Sequence, residues 1–471
     1  MFRFGTGGWR AIIGDEYTRR NLRALAAAMA IKMKNEGVAQ KGLVMGYDRR
    51  FLSKESCFWL CEVLAAHNIP VKFIDSANPT PLLMFYVMKH KYPYGMMVTA
   101  SHNPAIYNGV KVMTAGGRDA DVTHTQELER IGETLDFDNI DSIPYAKAVE
   151  TGIVETINPL NEYLDAILEL IDVQSIHNAG LKIALDPMYG VSQRSIRTIL
   201  LTARCQLEVI NENHDTLFGG RMPSPSQAFL RNLTTYVIDH GFDLGIATDG
   251  DADRLGVIDD KGRYLHANQV LTLLYYYLLE YKGWKGPVVR NLATTHTLDR
   301  IAKAYGEQCY EVPVGFKHIS AKMEETDALI GGESSGGLTV RGHIHGKDGV
   351  YAASLLVEMR AVTGMPLSQL MDKISERFGA TFMEEQSYEF DPARKSDLLQ
   401  QIYDDHDIPT LDKPIARISD MDGLKIYFED GGWLIARFSG TEPVLRIFCE
   451  QESEDEARAL VTTFAEYYKL M

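Results

Sequence analysis

A serine at the end of an apolar run is the first residue whose placement suggests chemistry. Tyr94 to Val98 reads as a buried strand, and Thr99-Ala100-Ser101-His102-Asn103-Pro104 follows it as a small polar turn stopped by Asn-Pro. Ser101 therefore stands at the carboxyl end of a strand, where open α/β sheets bind their ligands. Alone, the stretch reads more simply as a turn capped by its own side chains. Three distant stretches change that reading. Together they supply a carboxylate cluster, a glycine-rich turn that carries a carboxylate and hydroxyls, and a turn rich in hydroxyls and arginine.

Asp249, Asp251 and Asp253 alternate with small residues at the end of another apolar run, with Arg254 next. Three carboxylates on one strand-end turn repel one another unless a cation lies between them, and oxygen-only ligation favours Mg²⁺ or Ca²⁺ over zinc. The spacing imitates the start of a calcium loop. However, position six would be Arg254 rather than glycine, position twelve would be Asp260 rather than glutamate, and the flanks read as strands. A solvated acidic turn is the remaining rival. Arg437-Phe438-Ser439-Gly440-Thr441-Glu442-Pro443, with Arg446 beyond, combines hydroxyls, accessible backbone N–H groups and arginine, a cradle for a phosphate dianion. Its rival is a surface Ser-Gly turn with a salt-bridged arginine. Gly331 to Gly337 surrounds Glu333, Ser334 and Ser335 with glycine, so Glu333 and Ser335 could bond vicinal hydroxyls, against the plainer reading of a flexible loop. No P-loop and no GxGxxG opening a helix is present, which leaves a nucleotide site unsupported.

These turns must be carried by regular elements. Helical spacing over Arg19–Glu36, Ser53–His67 (capped by Ser53) and Thr80–Lys89 alternates with strands at Leu43–Asp48, Val71–Asp75 and Tyr94–Val98, which predicts a parallel α/β layer. A polar, acidic segment at about 136–150 marks its boundary. The rhythm restarts twice. Strands at Lys182–Leu185, Leu207–Ile210 and Leu244–Ala247 lead to the aspartates, with a helix at Gln227–His240. Strands at Val288–Arg290, Tyr310–Val314 and Ala328–Ile330 then lead to the glycine-rich loop. From about residue 370, hairpin-like strands with a helix at each end indicate a smaller α+β domain. The expected architecture is four domains around a central cleft, three similar α/β units with mixed, mostly parallel sheets and then the α+β domain, at 1–147, 148–255, 256–368 and 369–471. The 471 residues are too many for one core.

With 48 basic against 64 acidic residues the net charge is −16, which argues against nucleic acid or an anionic membrane as partner. An anionic substrate would need a local basic lining. Five cysteines without a CxxC pair fit a reducing compartment, and Cys57 and Cys61, four apart on a helix, read as core thiols. The first residues lack a signal-peptide apolar stretch and no run is long enough to span a bilayer, so a cytoplasmic protein is expected.

With Phe4-Gly5-Thr6-Gly7-Gly8-Trp9-Arg10, Thr99–Pro104, Asp249–Arg254, Gly332–Gly336 and Arg437–Pro443 in this order, the chain resembles the α-D-phosphohexomutase superfamily, the phosphoglucomutase/phosphomannomutase enzymes, over essentially its whole length. The resemblance implies that Ser101 is the phosphoserine, with His102 in the same loop. It gives Asp249, Asp251 and Asp253 the role of holding Mg²⁺ with an oxygen of that phosphoserine, and makes Lys111 the candidate general acid/base. Arg10 and Arg254 would line the cleft, and Lys317 and His318 would belong to the third-domain loop. Glu333 and Ser335 would read the sugar, and Arg437, Ser439, Gly440 and Thr441 would hold the unreacting phosphate. The implied reaction interconverts hexose 1- and 6-phosphates through a 1,6-bisphosphate, with glucose 1,6-bisphosphate as activator, closure of the fourth domain, and a monomer or homodimer as the working form. Two departures point towards glucose phosphate: Gly337 stands where dual-specificity phosphomannomutases and phosphoglucosamine mutases usually carry histidine, and Gly7-Gly8-Trp9 replaces the Asp-Gly of the latter. Phosphomannomutase or a dual-specificity mutase is the alternative, ahead of phosphoglucosamine mutase. A metal-dependent sugar phosphatase would leave the second phosphate grip without purpose, and a sugar-phosphate sensor would need a broken site.

Overall fold

The computed structural model describes residues 2–5, 7–439 and 443–471. The chain divides into two compact units, Met1–Val270 with Ser335–Ser368, and Leu271–Ser334 with Gln369–Met471.

The first unit holds two mixed sheets. In the first, Leu43–Tyr47 lies between Tyr94–Val98 and Val71–Ile74, all parallel, and Val154–Ile157 adds a parallel edge strand beyond the acidic segment. On the other side Tyr107–Thr114 pairs antiparallel with Tyr94–Val98, followed by Gly8–Ile12. Every residue of Leu43–Tyr47 and Tyr94–Val98 is buried, as expected of central strands covered on both faces. The alanine-rich helix Arg19–Asn35 is capped by Thr18, whose side chain accepts from Asn21 N. Its small residues pack in the core with the helix Ser53–Ala66. Ser53 is not the cap expected for that helix. Leu52, at φ 62°, precedes it without a side-chain cap, and the Ser53 hydroxyl donates instead to the buried Asp48 carboxylate, 3.0 Å away.

In the second sheet Lys182–Asp186 lies between Gln206–Val209 and Leu244–Thr248, all parallel, and Leu255–Ile258 returns antiparallel to Leu244–Thr248. The reversal puts Asp249–Arg254 in the turn between two buried strands. The expected helix from Gln227 starts only at Arg231, because the Pro-containing segment ahead of it folds as a turn, with Ser226 N donating to Ser224 O. The helix Gly349–Thr363 belongs to this unit. It packs on Val173–Ala179 and Gln193–Thr202, and Asp348 caps it by accepting from Val350 N and Tyr351 N.

In the second unit Val288–Asn291 is flanked by Cys309–Val312 and Ile330–Gly332, all parallel. A separate antiparallel sheet runs Phe382–Glu389, Val444–Gln451, Trp433–Phe438, Leu424–Phe428, Ile415–Ser419. The helix Glu454–Tyr467, capped by Ser453, closes its core.

Candidate active site

In the first unit the two strand-end turns meet. Ser101 is fully buried and adopts φ 52°, a left-handed conformation unusual for a residue with a side chain. Its N–H donates to Thr99 Oγ1 at 2.8 Å, and Thr99 Oγ1 donates in turn to Asp48 Oδ2 at 2.6 Å. Its hydroxyl donates to Asp249 Oδ2 at 2.7 Å and lies 3.3 Å from His102 Nδ1. Arg50, a residue that the spacing of motifs does not single out, fixes the turn from beneath. Its guanidinium donates to the carbonyls of Ser101 and Asn103, both at 2.7 Å, and of Pro104 and Tyr107, both at 3.0 Å.

Asp249, Asp251 and Asp253 are all buried, and one carboxylate oxygen from each falls within 4.8 Å of the others. Asp249 Oδ1 accepts from the N–H groups of Asp253 and Arg254, which folds the turn around it. Lys111, buried in the hairpin opposite Met97, donates to Asp251 Oδ2 and Asp253 Oδ2, both at 2.6 Å. Thr80 Oγ1 also donates to Asp251 Oδ2, at 2.6 Å, and Lys347 reaches Asp253 Oδ2 at 2.9 Å. Asp251 Oδ1 and Asp253 Oδ1 remain buried without a hydrogen-bond partner among the described residues. Buried acceptors are normally satisfied. An oxygen-lined triad with two orphaned anionic acceptors fits a hard divalent cation such as Mg²⁺.

The electrostatics follow from burial and neighbours. Burial, with Asp253 and Asp251 adding like charge, pushes the Asp249 carboxyl up to about 8. Burial also opposes the charge on Asp251 and Asp253, but Lys111 outweighs it and holds both below the usual carboxylate range, with Lys347 and Arg254 assisting at Asp253. Lys111 in turn stays charged despite its burial, because Asp251 and Asp253 face it. His102 is driven well below its ordinary value by Arg254, then by burial and Arg10, so its imidazole is neutral. Arg10 donates to Asn103 Oδ1 at 2.6 Å, and burial with the Arg254 charge lowers it. The Nε groups of Arg10 and Arg254 are buried without a hydrogen-bond partner among the described residues. Two guanidiniums crowded together in this way suit an anion.

Ser335, exposed, and Gly336 belong to the same unit, and Leu255 N donates to Gly336 O at 3.1 Å. At Gly337 an added Cβ would lie 2.2 Å from Lys347 Cδ, so the lysine stem occupies the space that a side chain would need.

The remaining expected residues lie in the second unit. Glu333, nearly buried, accepts at Oε1 from Asn291 Nδ2 at 3.2 Å and Gly315 N at 3.1 Å. Lys317 and His318 open the helix Phe316–Thr326 directly after Gly315. Burial, with Lys317, lowers His318. Arg437 Nε donates to Asp422 Oδ1 at 3.0 Å, and Ser439 N to Val444 O at 2.8 Å. Gly440 and Thr441 lie outside the described residues. Asp48, Arg50, Thr80, Lys347 and Asp422 were not singled out from sequence. Arg50 and Asp48 lie just past the strand Leu43–Tyr47, and that position was the only signal available.

Comparison with known proteins agrees along the chain. Profiles of the phosphoglucomutase/phosphomannomutase family match in order: alpha/beta/alpha domain I at 1–139, domain II at 161–262, domain III at 266–378 and the C-terminal domain at 393–467. A phosphoglucomutase/phosphomannomutase of Thermococcus kodakarensis is 30% identical over 97% of this chain and 96% of its own. A phosphoglucosamine/phosphogalactosamine mutase of Sulfurisphaera tokodaii is 27% identical, covering 97% of each chain. Among solved structures, a Thermus thermophilus protein named for phosphomannomutase superposes with a TM-score of 0.86 at 28% identity, covering 99% of each chain. No helix among the described residues is long and apolar enough to cross a membrane. With its four domains matched in order and relatives of this identity along its length, the chain belongs to the phosphoglucomutase/phosphomannomutase family and is a mutase of the phosphohexomutase superfamily.

Proposed function

We propose that the enzyme interconverts glucose 1-phosphate and glucose 6-phosphate through phospho-Ser101 and a hexose 1,6-bisphosphate. The observation that carries this reading is the Ser101 hydroxyl, pointed at Asp249 by a turn anchored on Arg50, beside a carboxylate triad braced by Lys111. Phosphoryl transfer needs positioning and charge neutralisation more than covalent machinery. Asp249, Asp251 and Asp253 would hold Mg²⁺ beside Ser101, where it would supply that neutralisation. In the forward half-reaction the bond between Ser101 Oγ and phosphorus breaks as the free sugar hydroxyl oxygen bonds to phosphorus. Lys111 gives a proton to the departing Ser101 oxygen and recovers one from the sugar hydroxyl. The bisphosphate then returns its other phosphoryl group to Ser101. Arg10 and Arg254, with His102 kept neutral beside them, receive the transferring phosphate. Glu333 and Ser335 read the sugar hydroxyls with Lys317 and His318 alongside, and Arg437, Ser439, Gly440 and Thr441 grip the phosphate that does not react.

The preference for glucose rests on Gly337, whose place is filled by the Lys347 stem, so that no side chain from 337 reaches the sugar. Phosphoglucosamine mutase is the second reading, favoured by the names of relatives such as those of Methanopyrus kandleri and Pyrococcus furiosus, each 30% identical. Initial rates with glucose, mannose and glucosamine 1-phosphate, each with Mg²⁺ and a trace of the matching 1,6-bisphosphate, decide between them. Fast conversion of the glucose compound alone is expected. A faster rate on the glucosamine compound would transfer the assignment to it. Ser101→Ala should abolish turnover of every substrate without lowering the melting temperature, and undiminished turnover would end the phosphoserine mechanism.

A further inference from the structure

In the second unit the groups proposed to read the sugar and to grip the phosphate are joined through two consecutive peptide N–H groups. Gly315 N donates to Glu333 Oε1 at 3.1 Å, and its neighbour Val314 N donates to Asp422 Oδ2 at 2.9 Å. The other oxygen of Asp422 accepts from Arg437 Nε at 3.0 Å. One carboxylate thus ties the turn that supports Glu333 to the arginine that opens the phosphate-gripping stretch. The close approach is built in by Gly423. It adopts φ 98°, and a Cβ there would meet Ala436 O at 2.7 Å and Arg437 Cβ at 3.3 Å. His318 lies within electrostatic reach of both Asp422 and Glu333, so these groups converge on one region of the unit.

We propose that Asp422 is a positioning residue that holds Arg437 and the Val314–Gly315 turn as one piece, so that the phosphate grip and the sugar reader keep a fixed separation. This rests on the roles given above to Arg437 and Glu333. A rigid separation suits a substrate that must bind in two opposite orientations with one phosphate always in the same grip, because the same grip and the same reader then hold both orientations with equal strength. Asp422 touches no reacting atom in this scheme. It acts through Arg437, whose planar guanidinium binds phosphate well only when its orientation is set.

The test uses the full-length enzyme with Mg²⁺ and whichever of glucose, mannose or glucosamine 1-phosphate the wild type turns over fastest. Asp422→Ala is expected to raise KM about tenfold while kcat changes less than about threefold, since uniform binding is what is lost. Asp422→Asn keeps an oxygen for Val314 N–H but removes the charge facing Arg437, and should fall between. The double variant Asp422→Ala with Arg437→Gln should be no weaker than Arg437→Gln alone, because the two act through one contact. Wild-type constants in Asp422→Ala overturn the proposal. Additive losses in the double variant do so as well, as does a fall in kcat and melting temperature with KM unchanged. If Arg437→Gln itself keeps the wild-type KM, the phosphate-grip reading has failed and the proposal falls with it.

Discussion

Arg50 donates to four backbone carbonyls of the Ser101 turn and its neighbours, and its guanidinium carbon lies 4.8 Å from the centre of the Phe218 ring. A lysine presents a single point charge with three donors and cannot reproduce this planar fork. Arg50→Lys should therefore leave at least one buried carbonyl unpaired, at a cost of about 1–3 kcal/mol. The same change releases Ser101 from a backbone conformation that its side chain disfavours, so turnover should fall with the melting temperature. Thermal unfolding and kcat measured on the same preparation test this, and a variant with wild-type values of both would show that the turn holds itself. Ser101 and the three aspartates were legible in sequence because each sits where an apolar strand stops at a small polar turn. Arg50 was not, because its partners are backbone atoms more than fifty positions away, and an arginine just past a strand is otherwise an ordinary surface group.

At the scale of elements, Leu424–Phe428 is a strand covered on both faces. All five residues are buried, including Lys425, because one face packs in the domain core and the other meets Leu292–His296 and Glu311. Lys425 Nζ donates to Leu292 O at 2.6 Å and Glu311 Oε2 at 2.7 Å, between the rings of Tyr427 and Trp433. Burial, with the Arg290 charge adding to it, brings the ammonium down to about 7, while Arg290 and Tyr427 share the same Glu311 carboxylate. Between that value and the ordinary lysine range near 10.4, the unfolded chain carries a proton that the folded one does not, so stability rises with pH across the window, by up to about 1.4 kcal/mol per unit. Lys425→Met should flatten that slope, as judged by urea midpoints at pH 7, 8 and 9. An unchanged slope would mean that the lysine stays charged when folded. The hairpin pattern was legible in the sequence but the network was not, since Lys425 and Tyr427 meet Arg290 and Glu311 from two other strands distant in the chain. The helix Gly349–Thr363 escaped for a related reason: it is buried around most of its circumference, so its composition carries no amphipathic period.

At the scale of the whole molecule, a protein of net charge −16 must attract hexose phosphates, which are themselves anions. The first unit shows how. His102 is held neutral by Arg254, burial and Arg10, and Lys347 adds to the same positive field, so the potential at His102 is opposite in sign to the global charge. The two fields have different reach. At about 0.1 M salt the screening length is about 10 Å, which removes most of the repulsion from distant surface carboxylates and weakens buried, close charges far less. Two outcomes are therefore distinguishable when kcat/KM is followed from about 10 mM to about 150 mM ionic strength, with free Mg²⁺ held constant. If the distant acidic surface governs encounter, kcat/KM rises with salt as the repulsion is screened. If the lining governs it, kcat/KM falls, because screening trims an attraction that extends beyond the site mouth. A fall of a few-fold is expected, since Arg10, Arg254 and Lys347 converge on one small volume while the excess carboxylates are spread over the whole surface. Arg254→Gln should then flatten the dependence, which ties the field to the residue that acts most strongly on His102 rather than to the charge of the molecule as a whole.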